Sequence, residues 1–145
     1  MRVLIVNHKA DERDLLSSVL ARHGCETAEA ATGAEGLRLA AEFKPSLIIS
    51  RLPMPIMGGF QLLREIRSDP LLQEITFIFH TDTFTDKEDE ELALSLGADA
   101  LIVMPEEPEE LCQVGGLVIG LRVKRRPVLR ANTRSQPPAD SPKTM

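Results

Sequence analysis

Two runs of this chain, Val3-Leu4-Ile5-Val6 and Leu47-Ile48-Ile49, are apolar at every position, with none of the alternation a strand with one wet face requires. A strand of that kind must be covered on both faces. The segments that follow them carry apolar residues at helical spacing. Leu15, Leu16, Val19 and Leu20 predict a helix that Asp11 can cap and Gly24 ends. Cys25 to Ala30 reads as a second strand. Gly33 then opens a helix with Leu37, Leu39, Ala40 and Phe43, closed by Lys44-Pro45. Leu47 to Ser50 is the third strand, and Phe60, Leu62, Leu63 and Ile66 mark the helix after it. Ile75 to His80 is the fourth strand. An acidic helix with Leu92, Leu94 and Leu96 ends at Gly97, and Ala100 to Val103 is a short fifth strand. From Pro108 a last helix places Leu111, Val114, Val118 and Leu121 on one face, weakened by Gly115, Gly116 and Gly120.

Five strands alternating with five helices imply right-handed crossovers and one parallel sheet in a three-layer α/β domain. Any site on such a sheet lies outside the carboxyl ends of its strands. A length of 145 residues suits one domain. No apolar run reaches the ~20 residues of a membrane span, and the N-terminus lacks a signal-peptide pattern, so the expectation is a cytoplasmic protein. Cys25 and Cys112 are far apart and read as reduced thiols. Seven of the 17 bases but one of the 22 acids lie from Arg122 onward, leaving residues 1–121 with a net charge of −11. An acidic body does not attract nucleic acid. The expected division is a folded domain over residues 1–124 and a basic, Pro-rich disordered tail or linker over 125–145.

Several local patterns together resemble the receiver domain of response regulators, the CheY-like family. Pro45-Ser46-Leu47-Ile48-Ile49-Ser50-Arg51-Leu52-Pro53-Met54-Pro55-Ile56-Met57-Gly58-Gly59 is similar to the family's stretch around its phosphoacceptor. Gly97-Ala98-Asp99-Ala100-Leu101-Ile102-Val103-Met104-Pro105 resembles its GADDYLxKP segment, and Glu29-Ala30-x-x-Gly33-x-Glu35-Gly36-Leu37 its EAxxGxEAL segment. The resemblance covers about residues 1 to 121. It implies a doubly wound, flavodoxin-like sheet of strand order 2-1-3-4-5.

In that family two acids after the first strand and an aspartate ending the third hold magnesium, and the aspartate takes a phosphoryl group. A hydroxyl ending the fourth strand and a lysine before proline bind the phosphoryl oxygens. Here the resemblance puts Asn7 and His8 at the acidic pair, Arg51 at the acceptor, Met104 at the lysine and Pro105 after it. Leu101 takes the place of the aromatic switch residue. Thr81 matches the hydroxyl, with Thr83 as the alternative. Arginine is always cationic and cannot act as a nucleophile, and magnesium needs carboxylate oxygens. The expectation is a domain without catalysis, metal or cofactor.

Arg51 is either a surface arginine or the member of an internal ion pair with Asp11, Glu12 or Asp82. His8 and His80 lack a third ligand for a transition metal. The reading that follows is a phosphorylation-independent signalling module of a two-component phosphorelay, acting on a protein partner such as a kinase, a regulator or an output domain. Ala93, Leu101, Val103 and Val114 form its expected interaction face, and homodimerisation is a further expectation. One alternative is the N-terminal receiver of a longer regulator with a DNA-binding or kinase output domain. A second is a flavodoxin-like cofactor-binding protein, disfavoured because Asn7-His8-Lys9-Ala10-Asp11-Glu12 offers no Gly, Ser or Thr to cradle phosphate.

Overall fold

A computed structural model of the protein describes residues 1–54, 57–81 and 87–103. The expected helix from Pro108 and the expected tail lie outside the described residues. The elements run β1 (Arg2–Val6), α1 (Ala10–Arg22), β2 (Glu26–Ala30), α2 (Gly33–Phe43), β3 (Leu47–Arg51), α3 (Gly59–Ser68), β4 (Thr76–Thr81), α4 (Lys87–Ser95) and β5 (Ala100–Val103). All strand pairs are parallel and the sheet order is β2-β1-β3-β4-β5. The expected α/β architecture and strand order are those observed.

The unbroken apolar runs explain themselves by the period of two along a strand. Leu4, Val6, Ile48, Phe77, Phe79 and Leu101 point to one face, where Ala40 of α2, Leu62, Leu63 and Ile66 of α3 and Ala93 of α4 cover them. Val3, Ile5, Leu47, Ile49, Ile78, Ala100 and Ile102 point to the other, where α1 lays down Leu16 and Leu20. Edge-to-face contacts of Phe79 with Phe60 and Phe77, at 5.5 and 5.0 Å between centroids, fill the first face near its middle.

Several boundaries differ from the sequence expectation, among them those of β4, which runs over Thr76–Thr81 rather than Ile75 to His80. Lys9, not Asp11, is the N-cap of α1, and Asp11 lies within the first turn. There its Oδ1 accepts from the amide of Glu12 at 2.9 Å. The second strand starts at Glu26 rather than Cys25, and the third extends one residue further, to Arg51. That extension matters, because it makes Arg51 a strand residue in register with His80.

Two close approaches fix the frame. A Cβ at Gly59, the first residue of α3, would lie 2.6 Å from Phe79 Cε1 and 3.0 Å from the Arg51 and Leu52 carbonyl oxygens. Only glycine lets α3 start directly against the end of β3. At the opposite end of the sheet, Asp99 is buried just ahead of β5. Its Oδ2 accepts from Arg67 Nη2 at 3.1 Å and from the Phe77 amide at 2.9 Å. Arg67 also donates through Nε to the Gly97 carbonyl at 3.0 Å and through Nη1 to those of Gln73 and Ile75. One guanidinium thus closes the end of α3 onto the starts of β4 and β5. Gly97, at φ +108°, accepts this contact where a side chain would collide with Arg67.

Removing the buried carboxylate leaves an amide and a guanidinium without their shared acceptor. Asp99→Ala is therefore expected to destabilise the fold by about 2 to 4 kcal/mol, measured by urea unfolding. A loss below about 0.5 kcal/mol, the range of ordinary surface substitutions, would show that the clamp carries no weight.

Candidate functional site

The strand order reverses at β1, which has β2 on one side and β3 on the other. Crevices in open parallel sheets form at that point, outside the carboxyl ends of the strands. Asn7 follows β1 there and is completely buried. Its backbone amide donates to the Ala30 carbonyl at 3.0 Å, extending the β1–β2 ladder by one bond. Its side-chain Oδ1 accepts from the Lys9 amide at 2.9 Å, which turns the chain into α1. Its Nδ2 donates to Glu12 Oε1 at 2.7 Å.

Arg51 arrives from β3 and meets the same carboxylate. Arg51 Nη1 lies 2.9 Å from Glu12 Oε1, and the two side chains are 5% and 20% exposed. One carboxylate oxygen therefore collects a donor from each of the two strands that flank the crevice. Glu12 sits in the first turn of α1, where the helix dipole also favours an acid. A neutral amide at position 7 suits this arrangement, since a carboxylate there would face that of Glu12. Arg13 backs the group from the β2 side: its Nη1 donates to the Asn7 carbonyl at 2.7 Å, and its Nε pairs with Glu29 Oε1 at 3.2 Å.

Arg51 is therefore not a surface side chain, and of the three acids expected near it the structure pairs it with Glu12. Asp11 is exposed one position earlier on α1 and turns away. Asp82 lies outside the described residues, as do Thr83, Met104 and Pro105. His8 is exposed, whereas His80 and Thr81, the last two residues of β4, are buried. Of the expected interaction face, Ala93 and Leu101 must be corrected, because both are fully buried in the core and present no surface. Nothing is described of Val114 or of the Val103 side chain. The roles of Arg13 and Glu29 had no signal in the sequence beyond opposite charge.

This donor set does not fit a hard divalent cation. Magnesium takes carboxylate or carbonyl oxygens, and the crevice offers an amide already bonded at both ends, an arginine and one carboxylate engaged by two donors. Among the described residues no group of three His, Cys, Asp or Glu could hold a metal.

Comparison with known proteins places these features in context. Residues 3–114 match the response regulator receiver domain family. The DNA-binding response regulator MtrA of Mycobacterium tuberculosis is 33% identical over 110 residues, which are 76% of this chain and 46% of that protein. An uncharacterized 14.6 kDa protein of Leptolyngbya boryana is 32% identical over 79% of this chain and 86% of its own. This chain thus spans about half the length of the MtrA regulators. Among solved structures, chemotaxis protein CheY4 of Vibrio cholerae superposes with a TM-score of 0.76 at 30% identity, over 81% of this chain and 97% of its own. The receiver domain of a histidine kinase from Syntrophus aciditrophicus gives 0.73 at 31% identity, over 86% and 92%.

A buried ion pair broken on one side leaves an uncompensated charge, which costs more than loss of a surface pair. Arg51→Asp, which sets two carboxylates together, is expected to lower stability by about 2 to 4 kcal/mol. Arg51→Met keeps the volume, leaves Glu12 its bond from Asn7, and should cost about half as much. Because the pair is shielded from solvent, the differences should persist at high salt. Thermal unfolding at low and high salt checks this, and variants that melt with the parent would make Arg51 a bystander.

Proposed function

The chain belongs to the response regulator receiver domain family, and we propose that it is a phosphorylation-independent member that signals by protein–protein contact. The observation that carries this reading is the buried Arg51–Glu12 pair at the carboxyl end of β3. Phosphoryl transfer to a receiver needs a carboxylate nucleophile on β3 and a metal that bridges it to the phosphoryl oxygens. A guanidinium has no acceptor lone pair and no nucleophilic form at neutral pH. Its charge also stands where a bound cation would neutralise the acidic lining. What exchangeable magnesium supplies to an active receiver, a tethered arginine supplies here without exchange.

A non-enzymatic adaptor follows from this chemistry. Its partner is a protein of the signalling pathway, such as a kinase, another regulator or an output domain, and no nucleic acid contact is assigned to the acidic body itself. Among the described residues no helix is long and apolar enough to cross a membrane. The pseudo-receiver reading also gives the retained Thr81 hydroxyl a structural role at the end of β4 rather than a switching one.

The MtrA relatives favour a second reading, in which this domain is the receiver portion of a longer DNA-binding regulator. The two readings share the inert pocket and differ only in output. The reading frame beyond Met145 separates them.

Incubation with acetyl phosphate and magnesium is expected to leave the intact mass unchanged. Arg51→Asp should not gain phosphorylation either, because Asn7 and His8 still supply no metal carboxylates. A stoichiometric gain of one phosphoryl group by the parent, mapped to the β1–β3 crevice, would overturn the proposal.

A further inference from the structure

Met57 lies in the connection from β3 to α3, two residues before α3 begins at Gly59. Its side chain is half-buried and packs onto the core on the face of the sheet that α2 and α3 cover. There it meets the backbone of Gly33, the first residue of α2. A Cβ at Gly33 would lie 2.7 Å from Met57 Cγ, 2.8 Å from its sulfur and 2.9 Å from its carbonyl oxygen. Glycine at position 33 is what lets a thioether sit directly on the start of the helix.

The start of α2 is held on its other sides. Thr32 Oγ1 accepts from the Glu35 amide at 3.1 Å, and Glu35 Oε1 accepts from the Ala31 amide at 3.0 Å. One turn on, a Cβ at Gly36 would lie 2.9 Å from Val6 Cγ2, so α2 is already seated against β1. An atom added to the Met57 sulfur therefore displaces the loop rather than the helix. Oxidation to the sulfoxide adds such an atom, and a polar one. Pointed at Gly33 the oxygen has no room; pointed away it makes a half-buried apolar side chain polar. Both weaken the contact. Met1 differs, since it is 48% exposed and an oxygen gained there enters water. Met54 packs on the same core from the same loop and serves as the comparison.

We propose that Met57 is a reversible oxidation site whose sulfoxide releases the β3–α3 connection from α2. The oxidant is a hydroperoxide. A sulfur lone pair attacks its terminal oxygen, the O–O bond breaks and an S–O bond forms. The displaced oxygen takes up the peroxide proton and leaves as water or an alcohol. Sulfur is oxidised by two electrons and the peroxide is reduced by two. A thiol-dependent sulfoxide reductase restores the thioether. The connection that moves leads from Arg51 to α3, so the site gives the domain a covalent input that bypasses the crevice. It stands whether or not the crevice accepts phosphate.

Dilute hydrogen peroxide on the full folded chain, read by peptide mass mapping, hydrogen exchange and thermal unfolding, tests this. Met57 is expected to gain one oxygen atom, and amide exchange over residues 33–36 to rise severalfold. The melting temperature should fall by about 3 to 6 °C, the shift that loss of one such contact gives a domain of this size. Reductases for the two sulfoxide epimers, with dithiothreitol, should reverse all three changes. Met57→Leu, close in volume, should keep the parent's exchange and lose the response, whereas Met54→Leu should retain it. Met57→Gln, polar and not oxidisable, should show the raised exchange without peroxide. A Met57 that stays unoxidised while Met1 is oxidised overturns the proposal. So does a Met57→Leu chain that responds to peroxide as the parent does, or an oxidised Met57 with exchange over residues 33–36 unchanged.

Discussion

A parallel sheet covered on both faces admits polar side chains only at its two ends. The buried polar residues described here obey that constraint without exception. Asn7, Ser50, Arg51, His80 and Thr81 stand at the carboxyl ends of β1, β3 and β4, and Thr76 and Asp99 at the starts of β4 and β5. Between those ends the strands are apolar, and an unpaired polar group there would cost a few kcal/mol. Whatever chemistry this domain has is therefore confined to one edge, and whatever polar clamp it needs is confined to the other.

The two ends use their polar groups differently. At the start of β4 and β5, Arg67 and Asp99 bond mainly to backbone, and the result joins consecutive segments of the chain. At the carboxyl end, side chain meets side chain across the gap between β1 and β3. Desolvating Arg51 offsets much of its attraction to Glu12, so such a pair adds little net stability over apolar replacement of both partners. What it fixes is geometry. The carboxylate is held from both strands, and the charge that balances it is covalently attached. An exchangeable cation would make the crevice respond to its surroundings; an arginine makes it constant.

The fold was legible because runs such as Val3–Val6 and Leu47–Ile49 exclude a sheet with a wet face, and the helical spacing between them supplies the covering layers. The identity of the residue at position 51 was legible too, but its burial was only one of two readings, since arginine is more often exposed. Choosing Glu12 over Asp11 required the phase of α1. With the helix starting at Ala10, the two acids diverge by about 100° around its axis, and only one reaches the crevice. The expected interaction face went wrong for a similar reason. Leu92, Leu94 and Leu96 follow each other at intervals of two, which leaves the phase of α4 undefined, and the small Ala93 between them is the residue that packs inward. The Arg67–Asp99 clamp joins residues 32 apart and had no local signature at all.

The constant pocket proposed here changes what can carry a signal through this fold. In a two-state protein a ligand shifts the balance only by its unequal affinity for the two states. On the proposed reading, with Glu12 neutralised from within, the crevice offers phosphate and magnesium no such difference to act on. Discrimination then falls to the surface, through which partner is bound and how much of it is present. There the net charge of −11 over residues 1–121 has the longest reach. It slows the approach of acidic partners and nucleic acid and speeds that of basic ones, to a degree set by ionic strength. Long-range charge selects the encounter, and a small set of apolar contacts must then decide which encounters last.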